Sequence, residues 1–390
     1  MKIEESDQKV YCSIDGDMDT AFTKLYSSFC SNPNHDFDYL TEKYLPEFFE
    51  TMFAFFYKHE SDSAKQDLLF NNLRFIWKLY YDEGRFEDAW VFWRVVIRKT
   101  SEWESNSGLK IHKGAAYFYW AHTLIRLGRI DEGFILINCA LEEYNRINGE
   151  ELSSTPAFKF LTLDYKFEDT YFKFIIAPLE EFLNKFIEEY RGDKNRYNSR
   201  KLTVITIDIF RNKFLKKSPS VFALTSFTYT IAKLWKFNLY SRHMTHNKFA
   251  GQYELRMLFD LIMVIDETIK FKYADEKKSF IPFKDLAEYL AKKSDLKISI
   301  DDLLNVNNSS KLCFENTLID LIEGRSLFGY EKQFSKIEND LLITYCIRNY
   351  AAHNLTTNKV IWLKFEHILQ SVFNILFLCV DVLYDVPCKG

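Results

Sequence analysis

Three polar side chains with complementary chemistry lie close together near the end of the chain, in the segment IENDLLITYCIRNYAAHNL. Arg348, Asn349 and His353 form the pattern R-N-x-x-x-H. A guanidinium can bind a phosphate through two parallel hydrogen bonds, and histidine is the side chain that exchanges a proton most readily near neutral pH. An amide beside them can orient either partner. The pattern therefore predicts acid–base chemistry at an anionic group such as a phosphate.

Helix geometry limits how these three residues can act together. Apolar spacing predicts a helix over the segment, and Asn349 and His353, four residues apart, share one of its faces. Arg348 and His353, five residues apart, are separated by about 140° around the axis. A guanidinium among apolar neighbours is costly unless it is paired or faces a wet cavity. A working site therefore needs a helix that loosens here, or residues from two copies of the chain.

A second set of candidates is basic. The segment 191–217 carries nine Lys and Arg residues against two Asp residues, in a chain whose net charge is −4. Lys213, Lys216 and Lys217 lie at its end. If the protein binds a nucleic acid such as RNA, we expect these lysines to hold it, because a mildly acidic protein can bind nucleic acid only through a local positive patch.

Two histidines also lie close together in YSRHMTHNK. Arg242, His243 and His246 are interpreted as an auxiliary RNA contact or a solvated helix end, because two histidines do not complete a metal site. The chain has no P-loop and none of the patterns G-x-G-x-x-G, G-x-S-x-G or H-E-x-x-H. The cysteines show no metal-type spacing. We therefore expect neither a metal nor a cofactor.

The composition favours an all-α protein. Gly (12) and Pro (7) are scarce, whereas Phe (37) and Tyr (23) are abundant, which is typical of long packed helices. The seven scattered cysteines indicate reduced thiols in a cytoplasm. The N-terminus MKIEESDQKV is unlike a signal peptide, and the longest apolar run, 371–384, is interrupted by Asn374 and Asp381. We expect a cytoplasmic protein without a membrane segment.

Two segments in the N-terminal half are similar to each other. They are WKLYYDEGRFEDAWVFWRVVIRK and WAHTLIRLGRIDEGFILINCALEEY. Aligning Gly84 with Gly128 also places Ala89 on Gly133. Small residues at such positions let two antiparallel helices touch, and a glycine turns the chain between them. Each segment is therefore predicted to form a helical hairpin.

This pattern, over residues 65–146, resembles the tetratricopeptide repeat. The two glycines are 44 residues apart, longer than the usual period of about 34, and a polar insert at 101–110 can absorb the difference. A generic helical hairpin stays open as the alternative. The resemblance implies that the helical region 1–190 offers a surface for a protein or ligand trigger.

The C-terminal half is predicted to be a helical bundle over 218–390, joined to the N-terminal region by a basic connector, 191–217. The sequence LTVITIDIF within the connector could be a short strand or a buried segment. Periodicity predicts the helices 219–242, 249–272, 310–325, 335–353 and 358–384, the last capped by Thr357, with smaller helices in 283–305.

The R-N-x-x-x-H motif, at the end of a helix that one more long helix follows, resembles the motif of the HEPN superfamily of ribonucleases. The resemblance covers roughly residues 218–386, although only about 340–356 is specific. It implies a homodimer in which two motifs face each other. With the tetratricopeptide-like region, it also implies a toxin-like role in antiviral defence or growth arrest. HEPN toxins silenced by a nucleotidyltransferase carry a tyrosine two residues after the histidine, where this chain has Leu355, so we do not expect that control.

The resemblance also implies a reaction. A metal-independent endoribonuclease of this type lets the RNA 2′-hydroxyl attack the adjacent phosphate, which leaves a 2′,3′-cyclic phosphate and a 5′-hydroxyl. His353 would act as general base or acid, Arg348 would stabilise the phosphorane charge, and Asn349 would orient the histidine or the phosphate.

Two alternatives to an enzyme stay open, because so short a pattern also arises by chance. In one, Arg348 pairs with an acid elsewhere and His353 is a hydrogen-bonded core residue. In the other, the chain is a non-catalytic RNA-binding or interaction protein, in which the repeats bind a partner and the bundle dimerises.

Overall fold

The computed structural model describes residues 12–31, 37–148, 152–164, 170–192, 205–217, 221–241, 248–273, 281–327, 331–354 and 358–384. Within these ranges the chain forms helices, turns and loops but no strand, which confirms the all-α prediction. The chain divides into two compact units, residues 1–160 and 161–390, called here the N-terminal and C-terminal units.

Helices of the N-terminal unit alternate with short turns. They are α1 (Gly16–Cys30), α2 (Phe37–Lys58), α3 (Ser63–Asp82), α4 (Phe86–Ser107), α5 (Gly114–Arg126) and α6 (Ile130–Asn148), while α7 (Pro156–Leu161) crosses the division. Consecutive helices α3, α4, α5 and α6 pack on one another. The indole N–H of Trp77 on α3 donates to the hydroxyl of Thr123 on α5 over 2.8 Å, which ties the first predicted hairpin to the second.

Both predicted glycine turns join packed helices. Gly84 and Gly128 have φ values of +75° and +77°, a conformation that only glycine adopts without strain. The amide after each glycine bonds back to a carbonyl five residues earlier, closing the preceding helix. A Cβ on Gly133 would lie 2.5 Å from a side-chain carbon of Ile125. A small residue is therefore what lets α5 and α6 approach so closely.

The C-terminal unit is a bundle of longer helices. They are α8 (Thr170–Gly192), α9 (Ile207–Lys213), α10 (Val221–Ser241), α11 (Lys248–Tyr273), α12 (Phe283–Lys293), α13 (Ile300–Glu323), α14 (Lys336–His353), α15 (Lys359–Leu363) and α16 (Phe365–Leu383). A short 3₁₀ turn, Leu215–Lys217, follows α9.

The centre of this bundle is α14. A capping box of Ser335 and Glu338 begins the helix, and every residue from Ile337 to Ile347 is buried. Its neighbours are α11, α12, α13 and α16. Because its buried residues surround the helix, α14 has no solvent face until its last turns.

The other central helix, α16, is long and apolar enough to span a membrane by length and composition alone. Two thirds of its apolar window is buried inside the structure, and Ile368 to Val380 are buried throughout. Burial against α14, α11 and α8 accounts for its apolar character.

The division between the units falls after residue 160, so the predicted end of the N-terminal region at 190 is wrong. The reason is α8, which packs on α16 and α10. Phe186 stacks on Phe373 with ring centroids 4.2 Å apart, and the Tyr190 hydroxyl donates to Asp381 over 2.7 Å. An amphipathic pattern shows that a helix has a partner but does not reveal which one.

Three local predictions also need correction. The strand in LTVITIDIF is wrong in its described part, because Thr206 accepts a hydrogen bond from the amide of Ile209 and caps α9. The buried alternative agrees with Ile205, which is fully buried. The predicted helix 310–325 is the second half of α13, which kinks at Cys313 (φ −151°, ψ 91°). The last predicted helix is divided at Lys364 into α15 and α16, and its expected cap, Thr357, lies outside the described residues.

Candidate active site

The motif occupies the last two turns of α14, and the helix does not loosen there. α14 continues without interruption through His353. Asn354 ends it, with its backbone amide and its side-chain amide both donating to the carbonyl of Tyr350, over 3.0 Å and 2.9 Å. Arg348 and His353 therefore keep the wide angular separation expected from their spacing. The loosened helix, one of the two arrangements that a working site would need, is therefore not present in this structure.

Arg348 is half-buried and has no ion pair among the described residues. Its Nε is buried and has no hydrogen-bond partner. The guanidinium carbon lies 5.6 Å from the ring centroid of Phe283 on α12, a cation–π contact. The side chain is thus held by packing, while its hydrogen-bonding capacity is left unused.

The acid whose charge Arg348 influences is Asp266 on α11. Burial raises the pKa of Asp266, and the positive charges of Lys270 and Arg348 act in the opposite direction. Lys270 is the residue that pairs with this carboxylate, at 3.3 Å. Arg348 therefore acts on Asp266 through its charge without forming an ion pair with it among the described residues.

Asn349 and His353 have different surroundings. The Asn349 side-chain amide donates to the Oδ1 of Asn307 on α13 over a long 3.4 Å. His353 is exposed, so the interpretation that makes it a core histidine is wrong. An exposed imidazole at a helix end can exchange protons with solvent or substrate. Within one chain, however, the three motif side chains do not converge on one point.

No protein-family model, curated protein or solved structure matches this chain. The chemistry of the motif therefore follows from its geometry and from the surfaces around it.

An apolar surface adjoins the motif. Tyr350 stacks on Phe314 of α13, with ring centroids 3.9 Å apart. Two residues before Phe314, at the kink of α13, the side chain of Leu312 is 90% exposed. Ala352 on the last turn of α14 is also exposed. Leu312 and Ala352 are thus exposed apolar residues on the two helices that Tyr350 and Phe314 join at this end of the bundle.

The predicted RNA-binding lysines are only partly available. Lys216 pairs with Asp164 at 2.7 Å. Lys213 is half-buried and Lys217 is exposed, and neither forms an ion pair among the described residues. Arg211, which contributed to the positive surplus, is 3% exposed and pairs with Glu180 and Asp208. The other candidates, Arg242, His243 and His246, lie outside the described residues.

The acidic residues contain what the sequence reasoning missed. Four of them, which no sequence motif singled out, are each at most 3% exposed: Glu254, Asp266, Asp302 and Asp340. Asp302 caps α13 and pairs with Lys332 at 2.6 Å. Glu254 has one carboxylate oxygen with no partner. Its position was recognisable, since residues four before and four after it are apolar.

Metal ligands do not gather in the described part of the chain. No group of three or more His, Cys, Asp or Glu side chains there is placed to hold a metal ion. What the motif offers chemically is therefore a cation and a proton-exchanging group.

Proposed function

We propose that the C-terminal unit is a HEPN-type, metal-independent endoribonuclease whose active site contains Arg348, Asn349 and His353. The observation that carries this proposal is the state of Arg348. A half-buried guanidinium with no ion pair among the described residues and with a buried, unbonded Nε is destabilising by itself. It is suited to a ligand that brings negative charge, and the exposed His353 lies about one and a half turns away on the same helix.

The reaction follows from these groups. A general base removes the proton of an RNA 2′-hydroxyl, whose oxygen attacks the neighbouring phosphorus. The bond to the 5′-oxygen breaks, and a general acid protonates that leaving oxygen. His353 serves one of these proton transfers. Arg348 stabilises the added negative charge of the phosphorane with two N–H donors, and Asn349 positions the phosphate or the imidazole. The products are a 2′,3′-cyclic phosphate and a 5′-hydroxyl.

We propose further that the active enzyme is a homodimer. Because α14 is unbroken, Arg348 of one copy and His353 of the same copy do not converge, whereas motifs from two copies can face each other. The exposed apolar surface at Leu312 and Ala352 lies at the same end of the bundle and is the interface that we assign. The N-terminal hairpins would then form a tetratricopeptide-like sensor for a protein or ligand trigger, in a defence or growth-arrest role.

Cleavage of a fluorescent RNA by the purified protein in EDTA tests the function. We expect wild type to leave cyclic-phosphate ends, which mass spectrometry identifies. His353→Ala and Arg348→Ala should each lower the rate by about 10²–10⁴-fold without loss of helicity by circular dichroism. Arg325→Ala, at an exposed arginine of the same unit, is the matched control and should keep the wild-type rate.

Light scattering tests the dimer. Leu312→Asp should convert a dimer into a monomer and abolish cleavage, because a buried aspartate opposes the contact. Ile135→Asp, at an exposed apolar residue of the N-terminal unit, should change neither. A monomeric wild type that still cuts RNA would contradict the composite site.

The rival function is a non-catalytic RNA-binding or interaction protein. It is favoured by the divergence of the motif side chains within one chain, with Arg348 over Phe283, Asn349 near Asn307 and His353 in solvent. RNA that binds to a dimer but is never cut, with or without EDTA, would establish this rival and exclude the enzyme.

A further inference from the structure

A second concave site lies in the C-terminal unit, towards the other end of α14. A cavity of about 880 Å³ opens between α8, α10, α11, α14 and the segment from α15 to α16. Small-molecule sites in proteins have volumes of about 300–1,000 Å³. Asp340, in its wall, precedes Arg348 by eight residues, or about 12 Å along the helix. The cavity is therefore distinct from the R-N-x-x-x-H motif.

The floor of this cavity is polar, which is unusual for the inside of a helical bundle. Asp340 and Asn374 are 2% and 1% exposed. The Asn374 amide donates to Asp340 over 2.7 Å and accepts from Gln370 over 2.8 Å. Ser371 and Glu254, which line the same cavity, each have a buried oxygen with no hydrogen-bond partner among the described residues. Two unused polar groups in the lining of one cavity favour a ligand that completes their hydrogen bonds.

Glu254 determines which hydrogen bonds the ligand must offer. The residue is 2% exposed, and burial alone raises the pKa of its carboxyl to about 8. At neutral pH the group is therefore mostly a neutral acid, which has one donor and one acceptor side by side. Its complement is a flat edge that presents an acceptor next to an N–H donor.

The aromatic and charged residues that line the rest of the cavity indicate which other chemical groups the ligand carries. Phe237 and Phe365 line the wall as an edge-to-face pair, with ring centroids 6.1 Å apart, and offer surfaces for a flat ring. Lys185 and Lys364 lie exposed at the rim and form no ion pair among the described residues. Glu189 and Glu366 line the same rim. Because these two acids offset the positive charge of the two lysines, the rim suits an anion that carries few charges, such as a single phosphate.

We propose that this cavity binds an adenine nucleotide, with the amidine edge of adenine on Glu254, the ring against Phe237 and Phe365, and the phosphate at Lys185 and Lys364. Adenine presents N1 as an acceptor next to its N6 amino donors, which matches a neutral carboxyl. Guanine presents two donors at the corresponding edge, which match an ionised carboxylate instead. The proposal is independent of the ribonuclease activity.

Titration calorimetry of the full chain tests this assignment with AMP, adenosine, GMP and inorganic phosphate. At pH 7 AMP should bind up to about tenfold more tightly than GMP, because a carboxyl with a pKa of about 8 must ionise to match guanine, which costs about a factor of ten. Adenosine should bind more weakly than AMP. Equal binding of AMP, GMP and phosphate would mean an anion site only, and no binding of AMP would overturn the proposal outright.

Two substitutions at one position sharpen the test. Glu254→Gln keeps a donor and an acceptor, so AMP affinity should stay within about threefold. Glu254→Met has similar volume but no hydrogen bonds, so affinity should fall at least about tenfold. Lys185→Ala with Lys364→Ala should reduce AMP binding to the level of adenosine. Lys293→Ala, at an exposed lysine on α12, is the control. Loss of AMP binding in Glu254→Gln but not in Glu254→Met would contradict the assigned edge, and both variants can be checked for folding by circular dichroism.

Discussion

A buried cluster of the N-terminal unit and two polar side chains of the C-terminal unit differ in whether their charged groups have partners. In the N-terminal unit His112 is 3% exposed, and its ring nitrogens face Asp67 at 3.3 Å and Glu143 at 3.7 Å. Beside it, Lys113 and Glu104 form a buried pair at 2.5 Å. In the C-terminal unit, by contrast, Arg348 has no ion pair among the described residues, and one oxygen of Glu254 has no partner there.

The electrostatics of the N-terminal cluster show what pairing achieves. Burial by itself lowers the pKa of His112, but the carboxylates of Asp67 and Glu143 outweigh it and raise that pKa above its usual value. Although burial opposes the change, His112 and Arg146 in turn lower the pKa of Glu143 to about 2. The cluster links α3, α4, the segment between α4 and α5, and α6, and each of its charges faces an opposite charge. The Nδ1 of His112, 3.7 Å from Glu143, still has no hydrogen bond among the described residues. An unpaired buried charge keeps its desolvation cost until a ligand binds. The contrast distinguishes a structural cluster from a candidate binding group.

Lys113→Met should have the largest effect. It leaves Glu104, which is 8% exposed, buried without its cation, and we expect about 3–5 kcal/mol of lost stability by urea denaturation. The double variant Lys113→Met with Glu104→Gln should recover most of the loss, because the glutamine side chain is neutral and can still accept from the amide of Ile111, as the carboxylate does. If Lys113→Met were as stable as wild type, the Lys113–Glu104 pair would not be a stabilising element of the N-terminal unit.

Arg348→Met gives the opposite expectation. With its aliphatic packing retained and an unpaired charge removed, the melting temperature should hold or rise. Arg211→Met is the matched control in the same unit, since Arg211 is buried and pairs with Glu180 and Asp208, and it should cost about 3–5 kcal/mol. Equal losses in the two variants would make Arg348 a structural residue and the enzyme proposal wrong.

Glu254 gives an effect of similar size that depends on pH. Burial raises the folded-state pKa of Glu254 to about 8 from an ordinary value of 4.5. Stability is therefore complete below about 4.5 and declines as pH rises towards and through 8, by about 1.4 kcal/mol for each pH unit within that window. We expect the melting temperature of wild type to fall relative to that of Glu254→Gln between about pH 5 and 9. Parallel pH profiles of the two proteins would show that this carboxyl is not desolvated. Other titrating groups, His112 included, are common to both proteins.

The basic segment should give the smallest effect. Glutamate at Lys213, Lys216 and Lys217 should weaken RNA binding and flatten its dependence on salt, by about one unit of slope for each phosphate that the protein no longer binds. Lys216→Glu alone should contribute least, because that lysine already pairs with Asp164. An unchanged affinity and slope in the triple variant would make the segment a solvated connector.

The sequence predicts local features of this fold well. The periodicity places α10, α11 and α14 within two residues of their ends, whereas α13 begins ten residues before its predicted start and the last predicted helix is divided in two. The alignment of Gly84 with Gly128 identifies two turns with positive φ. The R-N-x-x-x-H motif is also recognisable from the sequence, because its residues are close in the chain and their arrangement depends only on the local helix, α14. These features depend on neighbours in the chain, which a sequence shows directly.

Features that depend on distant residues were not predictable. The packing of α8 on α16 moves the division of the chain from 190 to 160. The bond between Asp340 and Asn374 joins residues 34 positions apart, and nothing in the local pattern pairs them. Asn374 was seen only as an interruption of an apolar run, yet it holds the polar floor of the cavity. A polar residue inside a strongly apolar helix, such as Asn374 or Asp340, therefore indicates a buried polar site in this fold.

The continuous burial of α14 has a thermodynamic consequence. Asp340 lines the cavity and Arg348 belongs to the motif, and the residues of α14 between them are all buried. Because a close-packed helix transmits a displacement along its length, we expect a ligand at one site to affect the other. If AMP in the cavity changes the affinity of the motif for RNA by some factor, RNA must change the affinity for AMP by the same factor. A cleavage-deficient His353→Ala protein allows both titrations, and their agreement measures the coupling free energy twice.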